Sequence, residues 1–187
     1  MDRVSAVFLD RDGTINEEVE YLSRMEDLRL FPNTHEAIGL INRSGMQAVV
    51  ITNQSGVARG FFDEVFLKRL HDRINDMLAA RGAHIDRFYF CPHHPTEGRG
   101  KYRRDCDCRK PKAGMFHKAA RDLHIDLASS YMIGDNHTDM EAAHNAGVRG
   151  ILVRTGYGKT VDISQQAVYR AGDMLDAVQW ILRDKRR

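Results

Sequence analysis

The stretch Asp10-Arg11-Asp12-Gly13-Thr14 sets two carboxylates one residue apart, directly after the apolar run Val7-Phe8-Leu9. In extended backbone alternate side chains share a face, so Asp10 and Asp12 are expected to converge while Arg11 points away. Gly13 frees the backbone to turn sharply and to approach a ligand. Two neighbouring carboxylates repel each other unless a cation or a proton lies between them. The pair therefore reads as a divalent-metal site with an acid/base group, against the plainer reading of a strand ending in a solvated Asp-Gly turn. A second group lies downstream. Cys91-Pro92-His93 and Cys106-Asp107-Cys108 offer three thiolates and an imidazole, the complement of a tetrahedral Zn²⁺ site. Cys91, His93, Cys106 and Cys108 are the expected ligands, with His94 an adjacent competitor for His93. Free thiols or a disulfide are the alternative. A closed four-ligand site leaves no open position, so its expected role is structural: it staples a polar loop of about residues 91–108 and places Arg109 and Lys110.

Short apolar runs that alternate with helical patterns must position these groups. The runs Ala6 to Leu9, Ala48 to Ile51, Phe88 to Phe90, Tyr131 to Ile133 and Ile151 to Val153 read as five buried strands. Helices are expected from Thr34, stopped by Gly45; from a cap at Asp63, ended by Gly82; over Ala113 to Leu123; over Thr138 to Ala146, ended by Gly147; and over Leu175 to Leu182. This order predicts an α/β fold, a doubly wound and mostly parallel sheet with helices on both faces. Asp10, Thr52 and Asp135 each follow an apolar run directly, and ligands of open parallel sheets bind beyond the carboxyl ends of the strands.

The 187 residues suit a single domain with one sizeable core, and 42% hydrophobic with 29% charged residues is ordinary for a globular protein. A net charge of +2 gives no argument for a nucleic-acid surface. The basic tail Arg183 to Arg187 reads as a solvated helix end. The N-terminus turns polar too early for a signal peptide, and no apolar stretch is long enough to span a bilayer. Three cysteines, an odd number confined to Cys91–Cys108, argue against a secreted disulfide framework. A cytoplasmic monomer acting on a small molecule, with no nucleic acid or membrane partner, is the expectation.

Taken in order, Asp10-x-Asp12-Gly13-Thr14, Thr52-Asn53-Gln54-Ser55-Gly56, Lys110 and Gly134-Asp135-x-x-x-Asp139 resemble the four-motif set of the haloacid dehalogenase superfamily, over most of the chain. The resemblance implies phosphoryl transfer, with Asp10 as nucleophile and Asp12 as general acid/base. It also implies Thr52 and Lys110 on the phosphoryl group, and Mg²⁺ held by Asp10, Asp135 and the Asp12 carbonyl. The chemistry is coherent. A carboxylate is a weak nucleophile, but a phosphate ester neutralised by a hard cation and a lysine can be attacked in line. Proton transfer by Asp12 would contribute on the order of 10²–10⁴-fold. In superfamily ATPases the matching position is typically Thr, which leaves a long-lived phosphoenzyme, so Asp12 favours hydrolysis. Asp139 is expected to orient Lys110.

The intervals Gly13–Thr52 and Thr52–Lys110 leave no room for a cap domain, so the site is expected to be open. Two small-molecule groups of the superfamily share the Asp-Arg-Asp-Gly-Thr box and the zinc loop: the heptose 1,7-bisphosphate 7-phosphatases and the histidinol-phosphatases. The segment Cys91-Pro92-His93-His94-Pro95 through Cys106-Asp107-Cys108-Arg109-Lys110-Pro111, with its long insertion before Cys106, is similar to the heptose group. That family implies removal of the 7-phosphate from a heptose bisphosphate on the way to nucleotide-activated heptose for lipopolysaccharide or other surface polysaccharide. It implies substrate contacts from Asp10, Arg11, Asp12, Glu18, Val19, Glu20, Tyr21, Thr52, Asn53, Gln54, Ser55, Arg109, Lys110 and Asn136. Arg109 could grip a phosphate bidentately; Asn136 stands where some heptose phosphatases carry Lys. The rivals are a histidinol-phosphatase, a nucleic-acid 3′-phosphatase, which would need a basic groove with stacking aromatics, and a zinc-organised binding module without turnover.

Overall fold

The computed structural model describes residues 3–160 and 166–186, so Arg187 of the basic tail lies outside the described residues. Six strands form one sheet in the order β3-β2-β1-β4-β5-β6, every pairing parallel. They are β1 (Ala6–Leu9), β2 (Gln47–Asn53), β3 (Arg87–Cys91), β4 (Tyr131–Gly134), β5 (Arg149–Val153) and β6 (Ala167–Ala171). Every residue of β1 is fully buried, as a central parallel strand covered on both faces requires.

The period-two alternation of the strands divides the interior into two layers. Val7, Leu9, Val50, Ile133, Ile151 and Val153 face one side, where they meet α1 (Thr34–Arg43), α3 (Glu64–Ala79) and α6 (Met174–Asp184). Phe8, Val49, Ile51, Met132 and Leu152 face the other, against α4 (Gly114–Leu123) and α5 (His137–Ala146). Helix α3 begins where Asp63 accepts the Phe66 amide at 2.7 Å, and it buries Leu67, Leu70, Ile74 and Leu78 along one stripe. Helix α5 opens with a reciprocal capping box between Asn136 and Asp139 and closes on Gly147 at φ 69°. No helix of the described residues is long and apolar enough to cross a membrane.

The five expected strands are present. The sixth, β6, was not foreseen: it is an edge strand in which Arg170 follows the short run Ala167 to Tyr169 and which exposes Val168 and Arg170. The short helix α2 (Gly56–Arg59) was also missed, four residues being too few to show a period. The chain winds outward from β1 through β2 to β3, then returns to the other side of β1 as β4. The crevice beyond the carboxyl ends of β1 and β4 is therefore the switch point where an open parallel sheet receives a ligand.

Candidate active site

Asp10 follows β1 and Asp135 follows β4, which puts both at that crevice. The Asp10 amide donates to the Ile133 carbonyl at 3.0 Å and carries the β1–β4 ladder one residue further. Carboxylate oxygens of Asp10, Asp135 and Asp139 lie within 4.8 Å of one another. A single buried ammonium sits among them: Lys110 Nζ is 3.0 Å from Asp10 Oδ1 and 2.5 Å from Asp139 Oδ1, and it donates to the Ile51 carbonyl at 3.0 Å. Burial alone would lower the Lys110 amine, but the Asp10 and Asp139 charges overcome it and raise it above the ordinary lysine range. Asp139 thus holds the Lys110 ammonium, the contact that the resemblance implied.

Three carboxylates against one ammonium leave a net negative charge out of water. Burial first, then the Asp10 and Asp139 charges, push the Asp135 carboxyl up to about 8. Burial and Asp10 push Asp139 up to about 7, against the pull of Lys110. Hard oxygen donors strained in this way fit a small divalent cation such as Mg²⁺. The surroundings leave no slack. A Cβ on Gly13 would lie 2.1 Å from Asp135 Oδ2, and Gly13 holds φ 75°.

The Asp12 side chain lies apart from this cluster, and Arg11 corrects the sequence reading. Arg11 does not point away; it is fully buried, with Nη2 at 2.7 Å and 2.9 Å and Nε at 3.1 Å from the Asp12 carboxylate oxygens. The amides of Thr14, Ile15 and Asn16 all bond to the Arg11 carbonyl, so the chain coils there and strand alternation no longer applies. Burial works against the Asp12 carboxylate, yet the Arg11 charge and hydrogen bonds from Asn16 and Gln54 outweigh it and hold the group below its ordinary value. The Asp12 side chain is therefore not one of the clustered acids but a carboxylate held by Arg11, Asn16 and Gln54.

Two residues expected to touch substrate also hold the machinery. The Asn53 side chain accepts the Lys110 amide and donates to the Lys110 carbonyl, each at 3.0 Å. Gln54 Nε2 donates to Asp12 Oδ2 at 2.8 Å and to Thr52 Oγ1 at 3.0 Å, while Gln54 Oε1 accepts from Arg11. With its oxygen already accepting, the Thr52 hydroxyl keeps its proton free to donate to a phosphoryl oxygen.

The second cluster forms as expected. One ligand atom each from Cys91, His93, Cys106 and Cys108 lies within 4.8 Å of the rest. The three sulfurs are 3.2, 3.3 and 3.5 Å apart, and His93 Nδ1 is 3.4 Å from Cys108 Sγ and 3.7 Å from Cys91 Sγ. The cysteines are free thiols, and a tetrahedron of Zn–S bonds has edges of about 3.8 Å, so the donor set fits Zn²⁺. His94 is not in the cluster; its Nδ1 accepts the Thr96 and Glu97 amides. From the same loop Arg109 donates to the His93 carbonyl at 3.1 Å, which ties the cleft to the thiol cluster.

The cleft above the acids has a volume of about 430 Å³. Asp10, Asp12, Glu18, Glu20, Tyr21, Thr52, Asn53, Gln54, Ser55, Arg109, Lys110, Asp135 and Asn136 all line it. Arg11 lies beneath it and Val19 is exposed outside it, so neither lines the cleft. Burial, then the Asp12 charge, raises the Glu18 carboxyl to about 7.

A relative from Haemophilus ducreyi named D-glycero-beta-D-manno-heptose-1,7-bisphosphate 7-phosphatase is 42% identical over 178 residues, 94% of this chain and 97% of that one. This chain belongs to that family. A protein of the same name from Escherichia coli strain K12 is 40% identical over 98% of this chain and 96% of its own. The HAD-hydrolase-like family model matches residues 107–180. The crystal structure of D,D-heptose 1,7-bisphosphate phosphatase from B. bronchiseptica, complexed with magnesium and phosphate, superposes with a TM-score of 0.86. It is 31% identical and covers 97% of this chain and 99% of that one.

One part of the site in this heptose bisphosphate phosphatase family member escaped the sequence reading. The turn after β5, Thr155 to Gly158, crosses the acid cluster: the Tyr157 amide donates to Asp135 Oδ2 at 2.7 Å and Thr155 Oγ1 to the Gly13 carbonyl at 2.5 Å. Gly156 fits only because it lacks a Cβ, which would meet Asp135 Oδ2 at 2.1 Å. Tyr157 and Thr138 line the cleft. The signal was available, since Thr155 stands two residues after the apolar run Ile151 to Val153, as Asp135 does after Tyr131 to Ile133.

Proposed function

We propose that the protein hydrolyses the 7-phosphate of D-glycero-D-manno-heptose 1,7-bisphosphate, in the β form named in its relatives, through a phosphorylated Asp10. The observation that carries this reading is the cleft itself: Asp10 bonded to a buried Lys110, beside an Asp12 that Arg11 keeps ionised, in a chain 40–43% identical to enzymes of that name. Asp10, Asp135 and the Asp12 carbonyl would hold Mg²⁺, which when bound neutralises charge on the phosphoryl oxygens. Cys91, His93, Cys106 and Cys108 would hold Zn²⁺, which closes the loop and supplies no chemistry.

The chain's own groups then divide the work. Lys110 and the Thr52 hydroxyl take the equatorial oxygens as Asp10 attacks phosphorus and the bond to the sugar oxygen breaks. Asp12 gives the leaving oxygen its proton; the arriving phosphate dianion raises the Asp12 pKa and so lets it carry one. Once the sugar has left, Asp12 takes a proton from the water that attacks phosphorus, and the Asp10–phosphorus bond breaks. Remote binding of the 1-phosphate by Arg109 would keep the ester in register. Glu18, Glu20 and Tyr21 would contact the sugar. The cleft is complete within one chain, so a monomer suffices, and reduced thiols fit zinc binding in the cytoplasm. The product would feed synthesis of nucleotide-activated heptose.

The test is kcat/KM for both anomers of the bisphosphate beside histidinol phosphate. We expect the β anomer to lead. A higher value for histidinol phosphate would overturn the assignment.

A further inference from the structure

Two aromatic rings line the cleft, Tyr21 and Tyr157, and they are not equally free. Tyr21 is already engaged: its ring packs on Phe61 with centroids 4.7 Å apart and lies under the Arg59 guanidinium at 5.7 Å. Tyr157 is half-exposed, and among the described residues its ring makes no contact with another ring or with a cation. Its backbone, by contrast, is fixed. The amide is bonded to Asp135, Thr155 is bonded to Gly13, and Gly156 sits where no side chain fits. The backbone from which this free aromatic ring projects is thus anchored to Asp135, beside the Asp10 that would receive the phosphoryl group.

A sugar offers hydroxyls at its edges and a C–H surface on its face. Hydroxyl partners are abundant in the cleft, in Glu18, Glu20, Asn53, Ser55 and Asn136. Apolar surface is scarce there: besides the two tyrosines, the remaining large apolar side chain is Leu22, which is buried. Resting on the heptose bisphosphate reading, we infer that Tyr157 is a specificity-determining residue, its ring the platform for the carbon face of the substrate's sugar. Small-molecule sites commonly pair such an aromatic surface with a few oriented polar groups. The contact distinguishes a phosphorylated sugar from a phosphoryl donor that lacks one, because the phosphoryl contacts are the same in both.

The experiment compares wild type, Tyr157→Ala and Tyr157→Phe on the heptose bisphosphate and on acetyl phosphate, which carries no sugar. The readout is the ratio of the two kcat/KM values, with kcat and KM resolved for the bisphosphate. In Tyr157→Ala the ratio should fall about tenfold, through KM rather than kcat, and Tyr157→Phe should recover most of it. The Tyr157 amide is retained in both variants, so the bond to Asp135 survives. A wild-type ratio retained in Tyr157→Ala overturns the inference, and so does a Phe variant as poor as the Ala variant. A wild type that prefers acetyl phosphate sinks the heptose reading along with it, and that result is read before any variant is made.

Discussion

The acid floor of the cleft and the thiol loop beside it achieve order by opposite means. Asp10, Thr52 and Asp135 stand at the ends of strands whose side chains fill two apolar layers, so their positions are inherited from the core. Residues 92–107 contribute no fully buried apolar side chain; hydrogen bonds such as Tyr102 to Glu64 tie them down, and His93 and Cys106 bring their ligand atoms up to those of Cys91 and Cys108. The floor is set by burial, the loop by polar contacts and its thiol cluster. They meet at one residue. Lys110 leaves the loop two positions after Cys108, enters the floor between Asp10 and Asp139, and has its backbone clamped by Asn53 from the end of β2. A buried lysine delivered from outside the sheet thus needs both kinds of order at once.

The sharpest way to break this comparison is at the floor. Asp10→Asn keeps the shape of the side chain and removes the nucleophile; we expect turnover to fall by on the order of 10³-fold or more, with an unchanged thermal transition. Residual activity above a few per cent would falsify the role of Asp10. The loop should respond differently. Cys106→Ser should lower zinc content and activity by about 10–100-fold, and should loosen the loop so that trypsin cleaves at its surface residues Arg99, Lys101 and Arg103 while the sheet stays folded. Full zinc occupancy by elemental analysis would contradict the ligand set. At the meeting point the effect should be smaller. Asn53→Ala removes both clamps on Lys110, and a loss of about 1–3 kcal/mol corresponds to roughly tenfold or more in kcat, with zinc content retained. Loss of zinc in that variant would show that Asn53 supports the loop rather than the lysine.

How far the sequence revealed these regions follows from the same contrast. The floor was legible because buried parallel strands are continuous apolar runs, and the polar residue ending each run is conspicuous. The loop was legible because thiols are rare and all three fell within Cys91–Cys108. What stayed hidden lacked either signal. Arg11 was expected to point away from the acid pair because strand alternation was extended one residue too far, into a turn that folds its guanidinium onto Asp12. That Asn53 and Gln54 also hold Lys110 and Asp12 went unseen because a polar residue beside a site gives no sign of a second, scaffolding role. Strand β6 is short and lies at the sheet edge, exposing Val168 and Arg170, so its run Ala167 to Tyr169 did not stand out as a buried strand. Tyr157 was missed because its place depends on Asp135, from another strand.

The smallest expected effect separates the two regions by their response to pH. In the metal-free protein the acid cluster holds protons that the unfolded chain would release: Asp135 is pushed up to about 8 and Asp139 to about 7, from an ordinary value near 3.8. A raised carboxyl contributes stability that is fully present below the unfolded pKa and is lost as pH rises through the folded one. The midpoint of thermal unfolding should therefore fall by several degrees between about pH 4 and pH 8. A divalent cation replaces those protons, so Mg²⁺ should raise the midpoint more at pH 8 than at pH 5, and Asp135→Asn should weaken both trends. Zinc binding runs the other way, since its thiols must lose protons and the metal holds better as pH rises. A Mg²⁺ shift that is equal at pH 5 and pH 8 would mean that the cation is not bound by the protonated acids beside Lys110, and the floor would then owe its order to the core alone.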